Sequence, residues 1–521
     1  MEVLLFEGDA STADFDISGW TDVSIPHTWN AKDADDEIPG YFRGKGWYRK
    51  VVTVEELIPE QRVYLSFEGA NQETNVFVNG TFVGNHKGGY SAFTFDVTDY
   101  VHAGRNLIAV SVDNSHHPDI APLSADFTFF GGIYRDVYLV YTSPVQLSTT
   151  HYASSGVYLK ASKITDLQAN ISVKTFLSNA LKSNQSLILE TEILDADGNR
   201  VALSQKKVNV KAEEKNVAFE SLMTITQPKR WDVDSPYIYK VYSRLKNKKE
   251  EVLDCVVNPL GIREYRFDAE KGFFLNGKYR KLIGTSRHQD YKGMGNALRD
   301  EMHIRDVQLS KDMGSNFLRV AHYPQDPVVM QMCDKLGLLT SVEIPVVNAI
   351  TQSKAFMDNC VEQVTEMVYQ NYNYPSVIIW AYMNEVLLRP PFNPENRTER
   401  ADYMTFLHQI ASAIEAQIRS LDSERYTMLP CHSTSQIYQE AGIAELPMLL
   451  GFNLYNGWYG GSLSGFEEKL EELHREFPHK PLLITEYGAD VDTRIHSFSP
   501  MRFDFSCEFG SIYTNITCLK F

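Results

Sequence analysis

The feature that most constrains the fold is a change of rhythm after Gly261, where short apolar segments begin to alternate with helical ones. The apolar segments have the length of buried strands. Because strands that alternate with helices build parallel sheets, the repeats predict a (β/α)8 barrel. An open doubly wound sheet is the alternative, but no glycine-rich phosphate loop follows the first strand. The seven strand segments are KLIGTS (281–286), NFLRVA (316–321), LLTSVEI (338–344), SVIIWAYMNE (376–385), TMLPCHS (427–433), MLLGFNLY (448–455) and PLLITEYG (481–488).

The first half of the chain consists of short segments in which polar and apolar residues alternate, separated by turn residues. Asn79–Gly80 and Asp197–Gly198 lie between such segments and are typical of two-residue hairpin turns. We therefore expect a β-sandwich in residues 1–143, an immunoglobulin-like β-sandwich in 144–262 and the barrel in 263–521.

Net charge and cysteine spacing exclude several classes of function. Lys and Arg total 50 against 67 Asp and Glu, and the net charge of −17 disfavours nucleic acid and anionic membranes as partners. No apolar run approaches the length of a membrane span. The six cysteines are scattered without a Cys-x-x-Cys pair, so we expect free thiols, mostly buried, and neither a zinc site nor a disulfide framework.

Two glutamates stand at the ends of predicted barrel strands, Glu385 after the fourth and Glu486 after the seventh. Barrel enzymes carry their chemistry at these carboxyl ends, so the two side chains are predicted to face each other across the barrel mouth. Taken singly, a glutamate at a strand end is more often a solvated loop residue. Together with His, Arg, Asn and Tyr at the other strand ends, the pair favours a carboxylate-based hydrolase. A retaining glycosidase needs such carboxyl groups about 5–5.5 Å apart.

Different neighbours would give the two glutamates different roles. A nucleophile must stay ionised, and Arg319 and Tyr455 are the residues that we expect beside Glu486. A general acid must hold its proton near neutral pH, and the nearby second carboxylate would raise the pKa of Glu385. Once Glu486 is glycosylated, Glu385 could ionise and act as the base toward water.

Eight stretches of the sequence, spread over about residues 5–505, resemble glycoside hydrolase family 2, the family of bacterial β-galactosidases, β-glucuronidases and β-mannosidases. The resemblance implies a jelly-roll β-sandwich, an immunoglobulin-like β-sandwich and a catalytic TIM barrel. The stretches are SIPHTWN (24–30), GYFRGKGWYRK (40–50), DFTFFGGIYRDVYL (126–139), GTSRHQDYKGMGNAL (284–298), NFLRVAHYPQDP (316–327), NYPSVIIWAYMNE (373–385), FNLYNGWYGG (452–461) and LLITEYGAD (482–490).

The resemblance also assigns site residues. It implies that Glu385 is the acid/base, that Glu486 is the nucleophile and that Asn384 hydrogen-bonds the sugar 2-hydroxyl. A buried histidine that fixes the first strand is the alternative interpretation of His288. The substrate-binding residues that we expect are Asn384, His288, His322, Tyr455, Asp126 and Arg319.

The chain departs from the family pattern after LLITEYG, where the family continues through a helix to an eighth strand that carries a Trp. Here 33 residues follow Gly488, without such a strand or Trp. We therefore expect a barrel that lacks its last strand, with ITCLKF (516–521) as a weak substitute. Because an open barrel exposes strand edges, a catalytically impaired carbohydrate-binding relative is the alternative from another class.

The preferred function at this stage is hydrolysis of terminal β-D-galactosides by double displacement, because FNLYNGWYGG and AHYPQDP are most similar to galactosidases. The alternatives are β-glucuronidase and β-mannosidase activity. Some galactosidases of the family bind Mg²⁺ and Na⁺, but no residues here match the ligands of those ions. No cofactor is therefore expected, and Mg²⁺ is left open. We expect a small carbohydrate as partner and leave a homo-oligomer open. The chain starts without a secretory signal, and a bacterial cytoplasmic or periplasmic location is open.

Overall fold

The computed structural model describes residues 1–36, 38–56 and 58–520. Its first unit is a sandwich of a six-stranded sheet and a three-stranded sheet. The strands are β1 (Glu2–Leu5), β2 (Thr21–Asp22), β3 (Lys45–Val54), β4 (Arg62–Phe67), β5 (Glu73–Val78), β6 (Thr81–Lys87), β7 (Phe93–Asp96), β8 (Gly104–Asp113) and β9 (Val137–Thr142). The larger sheet has the order β2-β1-β3-β8-β5-β6 and the smaller one the order β7-β4-β9.

Alternation of side chains along these strands builds the core of the first sandwich. In β5 every second residue is buried, and Val76 and Val78 pack with Leu65 of β4 and Val110 of β8. The predicted hairpin joins β5 and β6, and its turn residues Asn79 and Gly80 have φ of 51° and 81°, as two-residue turns of this kind require.

The second unit is a sandwich of two four-stranded sheets, which confirms the predicted immunoglobulin-like architecture. Its strands are β10 (Val145–Leu147), β11 (Val157–Ser162), β12 (Gln168–Asn179), β13 (Gln185–Leu194), β14 (Arg200–Val210), β15 (Val217–Thr226), β16 (Trp231–Asp232), β17 (Ser235–Pro236), β18 (Tyr239–Lys246) and β19 (Val252–Leu260). In one sheet β12 pairs with β10, β11 and β15, and the other has the order β14-β13-β18-β19. The exact domain boundaries stay predictions.

A small three-stranded meander follows, made of β20 (Tyr265–Asp268), β21 (Gly272–Leu275) and β22 (Lys278–Arg280). Phe273 and Leu275 of β21 pack against Leu339, Ile378 and Leu449, which lie at the starts of barrel strands. The meander therefore closes the end of the barrel that lies opposite the mouth.

The third unit is a parallel barrel whose seven strands pair in sequence order. They are β23 (Gly284–Arg287), β24 (Phe317–Val320), β25 (Leu339–Glu343), β26 (Val377–Ala381), β27 (Tyr426–His432), β28 (Leu449–Asn453) and β29 (Leu482–Glu486). The helices are α1 (Asp300–Asp312), α2 (Pro327–Leu336), α3 (Lys354–Asn371), α4 (Arg397–Leu421), α5 (Ser435–Glu440), α6 (Gly465–Glu476) and α7 (Cys507–Lys520).

The barrel is nearly closed, and the prediction that its last strand is lacking is confirmed within the described part of the chain. Every residue of β26 is buried, whereas every residue of β29 is half-buried, because no strand described here pairs with the free edge of β29. Residues 516–520, considered above as part of a substitute strand, belong to α7, and Phe521 lies outside the described residues.

Local signals explain where several helices begin and end. Asp326 caps α2 by accepting a hydrogen bond from the Val328 backbone, Pro327 occupies the first turn, and Gly337 ends the helix with φ of 72°.

None of the helices within the described ranges is long and apolar enough to cross a membrane. The five cysteines with described side chains are free thiols; three are buried, Cys507 is half-buried and Cys255 is exposed.

Candidate active site

The carboxyl ends of the barrel strands bring most of the predicted site residues together. Glu486 is the last residue of β29, and Arg319 lies on β24. The predicted position of Glu385 at a strand end needs correction, because β26 ends at Ala381 and Glu385 lies four residues later. Its backbone has the left-handed φ of 48°, and its amide donates to the Pro430 carbonyl at 2.9 Å, which anchors this loop to β27.

Glu486 is held by a cation and a phenol. Arg319 Nη1 donates to Glu486 Oε1 at 2.5 Å, and the Tyr455 hydroxyl donates to Oε2 at 2.7 Å. Burial and the adjacent charge of Glu486 raise the pKa of Tyr455, so the phenol remains a donor. His322 Nε2 lies 3.7 Å from Glu486 Oε1. Each carboxylate oxygen of Glu486 therefore accepts a hydrogen bond from a fixed donor.

Arg319 is shared with a third carboxylate, Glu343, which was not among the predicted site residues. Glu343 is only 1% exposed and accepts from Arg319 Nε at 2.5 Å and from Nη2 at 3.1 Å. Burial alone would raise the pKa of Glu343, but the charges of Arg319 and His322 outweigh burial, and the pKa lies below its ordinary value. Arg319 is thus fixed between two carboxylates, which sets the direction in which it donates to Glu486.

Glu385 has amide neighbours instead. Asn453 Nδ2 donates to Glu385 Oε1 at 3.0 Å, and Thr485 Oγ1 donates to Asn453 Oδ1 at 2.7 Å, which orients the amide. Burial and then the charge of Glu486 raise the pKa of Glu385. The residue therefore favours the protonated form more than an exposed glutamate does. Asn453 was noted at a strand end but was not predicted as a site residue.

Asn384 links the two sides of the site. Its Oδ1 accepts from Arg319 Nη2 at 2.9 Å and from Asn453 Nδ2 at 3.2 Å. Since both contacts use the oxygen, Asn384 Nδ2 remains as a donor that can bind a hydroxyl acceptor. Four hydrogen bonds, through Asn453, Asn384 and Arg319, connect Glu385 to Glu486.

A loop of the first sandwich completes the mouth. The Phe127 ring packs against His288 and His322, with ring centroids 5.2 and 6.0 Å apart. Asp126 is exposed beside it and contributes to the raised pKa of Glu385 after burial and Glu486. Burial lowers the pKa of His288 to about 4, which makes it neutral near pH 7, and its Nδ1 lies 3.1 Å from the Tyr323 hydroxyl. His288 therefore lies at the mouth of the barrel, where its side chain is half-buried.

The residues that the structure describes contain no group of three or more His, Cys, Asp or Glu side chains arranged to hold a metal ion.

Two β-sandwiches followed by a parallel barrel with paired glutamates at its mouth define a multidomain glycoside hydrolase. Models of the glycosyl hydrolases family 2 match the chain in three parts: the sugar binding domain at residues 7–144, the family 2 model at 155–263 and the TIM barrel domain at 268–501. The chain belongs to glycosyl hydrolases family 2.

Several relatives are β-glucuronidases. The β-glucuronidase of Bacteroides fragilis is 36% identical over 477 residues, which are 90% of this chain and 65% of that protein. A structure of Bacteroides uniformis β-glucuronidase 2 covalently bound to cyclophellitol-6-carboxylate aziridine has a TM-score of 0.95 and 38% identity, and covers 99% of this chain and 62% of that one. The chain therefore spans less than two thirds of these relatives.

A second structure of Bacteroides uniformis β-glucuronidase 2 is a calcium-binding mutant in which two aspartates, 26 positions apart, are replaced by alanine. It has a TM-score of 0.93 and 37% identity, and covers all of this chain and 62% of that one. A β-galactosidase of Thermoanaerobacter pseudethanolicus is 35% identical over 391 residues, 73% of this chain and 50% of that protein.

Proposed function

We propose that this protein is a retaining β-glycosidase that hydrolyses terminal β-D-glucuronides. The Bacteroides relatives named above support a glucuronide better than the galactoside that the sequence favoured, and the covalent ligand on one of them carries a 6-carboxylate. Among the features of the chain itself, the opposed surroundings of Glu486 and Glu385 carry the proposal. One carboxyl group accepts hydrogen bonds from a guanidinium and a phenol, and burial raises the pKa of the other, which suits a nucleophile and an acid of double displacement.

In the first step, Glu486 attacks the anomeric carbon while Glu385 donates its proton to the leaving oxygen, and the glycosidic bond breaks. The product is an ester between the sugar and Glu486. In the second step, Glu385 takes a proton from water, the water oxygen attacks the anomeric carbon, and the ester breaks to release the sugar and regenerate Glu486. Arg319 and Tyr455 stabilise the carboxylate as it leaves.

The other predicted residues are proposed to bind the sugar. Asn384 Nδ2 would donate to the 2-hydroxyl, an interaction that strengthens in the transition state. His288, His322 and Asp126 would line the remaining wall of the pocket, where Phe127 packs against the two histidines.

A side-by-side assay of 4-nitrophenyl β-D-glucuronide, β-D-galactoside and β-D-mannoside tests the substrate. We expect the glucuronide to have the highest kcat/KM. A preference for galactoside would restore the interpretation that the sequence favoured. Failure to hydrolyse all three, while the chain still binds sugar, would support an impaired carbohydrate-binding relative.

An aziridine of the cyclophellitol-6-carboxylate type tests the covalent step separately. The intact mass of the chain should increase by one inhibitor, and peptide mapping should locate the adduct on Glu486. An adduct on Glu385 would reverse the roles of the two glutamates.

We also propose that this protein binds calcium. Asp300 and Asp326 are 26 positions apart, the same spacing as the two aspartates changed in the calcium-binding mutant of the relative. Asp300 lies in the first turn of α1, Asp326 caps α2, and His303 of α1 lies 3.9 Å from Asp326 Oδ2, so the two helix starts are neighbours. Carboxylate oxygens are the ligands that Ca²⁺ prefers. Isothermal titration of the chain with CaCl2 after treatment with EGTA should show one site, and the absence of heat at millimolar CaCl2 would contradict the proposal.

A further inference from the structure

His432 ends the fifth barrel strand and takes no part in the two chemical steps proposed above. β27 ends at this residue, and in the parallel pairing of β27 with β28 it is the partner of Asn453. Paired residues of parallel strands point to the same face of the sheet, and the Asn453 side chain points to Glu385. The Glu385 amide in turn donates to the Pro430 carbonyl of β27. His432 therefore lies at the rim of the mouth, on the side of the proposed acid.

The hydroxyl of buried Tyr438 fixes the orientation of the His432 ring. It lies 2.7 Å from His432 Nδ1 and accepts a hydrogen bond from the His432 backbone amide at 3.2 Å. The backbone amide of Leu387, two residues after Glu385, also bonds to the phenol oxygen. Because two amides use the lone pairs of this oxygen, the hydroxyl donates its one proton to Nδ1. The same phenol therefore links the imidazole to the loop that carries Glu385.

The other ring nitrogen of His432 is a free donor. Burial lowers the pKa of the imidazole, so the ring is neutral near pH 7. A neutral imidazole has one ring proton, and since Nδ1 accepts from Tyr438, that proton is on Nε2. Nε2 bonds to none of the residues that the structure describes, and the side chain is only half-buried. His432 thus presents one N–H donor at the rim of the mouth.

We propose that His432 binds the aglycone, with Nε2–H donating to an oxygen of the leaving group, such as a hydroxyl of a second sugar. This inference rests on the proposed function and adds the class of aglycone. Glu385 protonates the leaving oxygen, so donors beside Glu385 and away from Glu486 face the aglycone. His432 meets this condition, because β27 is next to the Glu385 loop and two strands away from β29, which Glu486 ends. A donor at this place favours aglycones that carry an acceptor over purely apolar ones.

Two substrates that differ only in the aglycone test this donor. 4-O-(β-D-glucuronosyl)-D-glucose carries hydroxyl acceptors, whereas cyclohexyl β-D-glucuronide has a ring of the same size without them. We expect His432→Leu to lower kcat/KM for the first substrate by about 3- to 10-fold more than for the second, since one neutral hydrogen bond is lost. His432→Gln keeps an N–H donor and should restore part of the preference. His408→Leu, which changes an exposed histidine of α4, is the control and should keep the preference of the unmodified chain.

Tyr438→Phe tests the position of the ring proton separately. This variant removes the hydroxyl that fixes Nδ1 as an acceptor, and we expect a smaller loss of the same preference. NMR of the chain with ¹⁵N-labelled histidine should show the Nε2–H form of His432, assigned by the signal that His432→Gln removes, and a mixture of both forms in Tyr438→Phe. An Nδ1–H form in the unmodified chain would overturn the donor at Nε2.

Labelling with the N-unsubstituted aziridine, which carries no aglycone, shows whether the site of each variant is folded. Equal losses for both substrates in a labelled His432→Leu chain would overturn this inference alone. An unmodified chain that neither takes the label nor hydrolyses either substrate would overturn the proposed function together with it.

Discussion

Glu486 and Glu385 belong to one hydrogen-bond network, but the network presents different chemistry to each of them. On the side of Glu486 it offers a guanidinium and a phenol, at 2.5 and 2.7 Å. On the side of Glu385 it offers one amide at 3.0 Å, and burial raises the pKa of that carboxyl group. The comparison shows how one fold can give two identical side chains different chemical surroundings by changing their neighbours.

Loss of the Glu486 carboxylate should have the largest effect on the rate of hydrolysis. Glu486→Gln keeps the size of the side chain but removes the nucleophile, and we expect kcat/KM for 4-nitrophenyl β-D-glucuronide to fall by about 10⁴-fold or more. Glu471→Gln, an exposed glutamate on α6, is the matched control and should retain the full rate. The melting temperature reports whether folding is intact. A normal rate for Glu486→Gln would remove this residue from the nucleophile position.

When the Glu385 carboxyl group is removed, the size of the rate loss should depend on the leaving group of the substrate. Glu385→Gln removes the proton donor, and we expect a loss of about 10²–10⁴-fold for an alkyl glucuronide. The first step with 4-nitrophenyl glucuronide should suffer less, because nitrophenolate leaves without a proton. Comparing the burst and steady-state rates for both substrates measures this difference. Equal losses in the first step would show that Glu385 is not the acid.

Removal of the Tyr455 hydroxyl should have a moderate effect on the rate, because it takes one hydrogen bond from Glu486 and none from Glu385. Tyr455→Phe deletes one hydrogen bond to a charged group, and we expect kcat/KM to fall by about 10- to 100-fold. Tyr459→Phe, which changes a neighbouring ring at 4.8 Å from Tyr455, is the control. A loss in Tyr455→Phe that does not exceed the loss in Tyr459→Phe would mean that Glu486 does not depend on this donor.

Most of the barrel could be predicted because buried strands and amphipathic helices have distinct periods. The helix α3 lies between the third and fourth predicted strand segments, as the alternation of strands and helices predicts, and Ser353 caps it. The fourth strand was extended to Glu385 because Tyr382 and Met383 are apolar, and both are indeed fully buried, although β26 ends at Ala381. An apolar sequence therefore indicates that residues are buried, but not whether they form the backbone hydrogen bonds of a strand. The six-residue α5 has too few turns to show a helical period in the sequence.

The two glutamates could be proposed from sequence because each one ends an apolar strand segment and matches a family motif. Glu343 and Asn453 also end strands but were not proposed as site residues, although they hold Arg319 and Glu385 in place. Sequence shows that a polar residue ends a strand, but not which side chains point into the mouth or which donors they share.

The smallest expected effect comes from removing the Asn453 amide that contacts Glu385. Asn453 donates to Glu385 and so favours its ionised form, which partly offsets the rise in pKa that burial and Glu486 cause. Asn453→Ala should therefore raise the pKa of Glu385 further, since the variant removes a hydrogen bond that favours the charged carboxylate.

Because the first step needs protonated Glu385, the alkaline limb of the plot of kcat/KM against pH should move to higher pH in this variant. Asn456→Ala is the control, since its side chain donates to the Gly465 carbonyl at the start of α6 and should leave the limb in place. A limb that stays or moves to lower pH in Asn453→Ala would show that this amide does not set the proton affinity of Glu385. The raised pKa of Glu385 would then rest on burial and on the charge of Glu486.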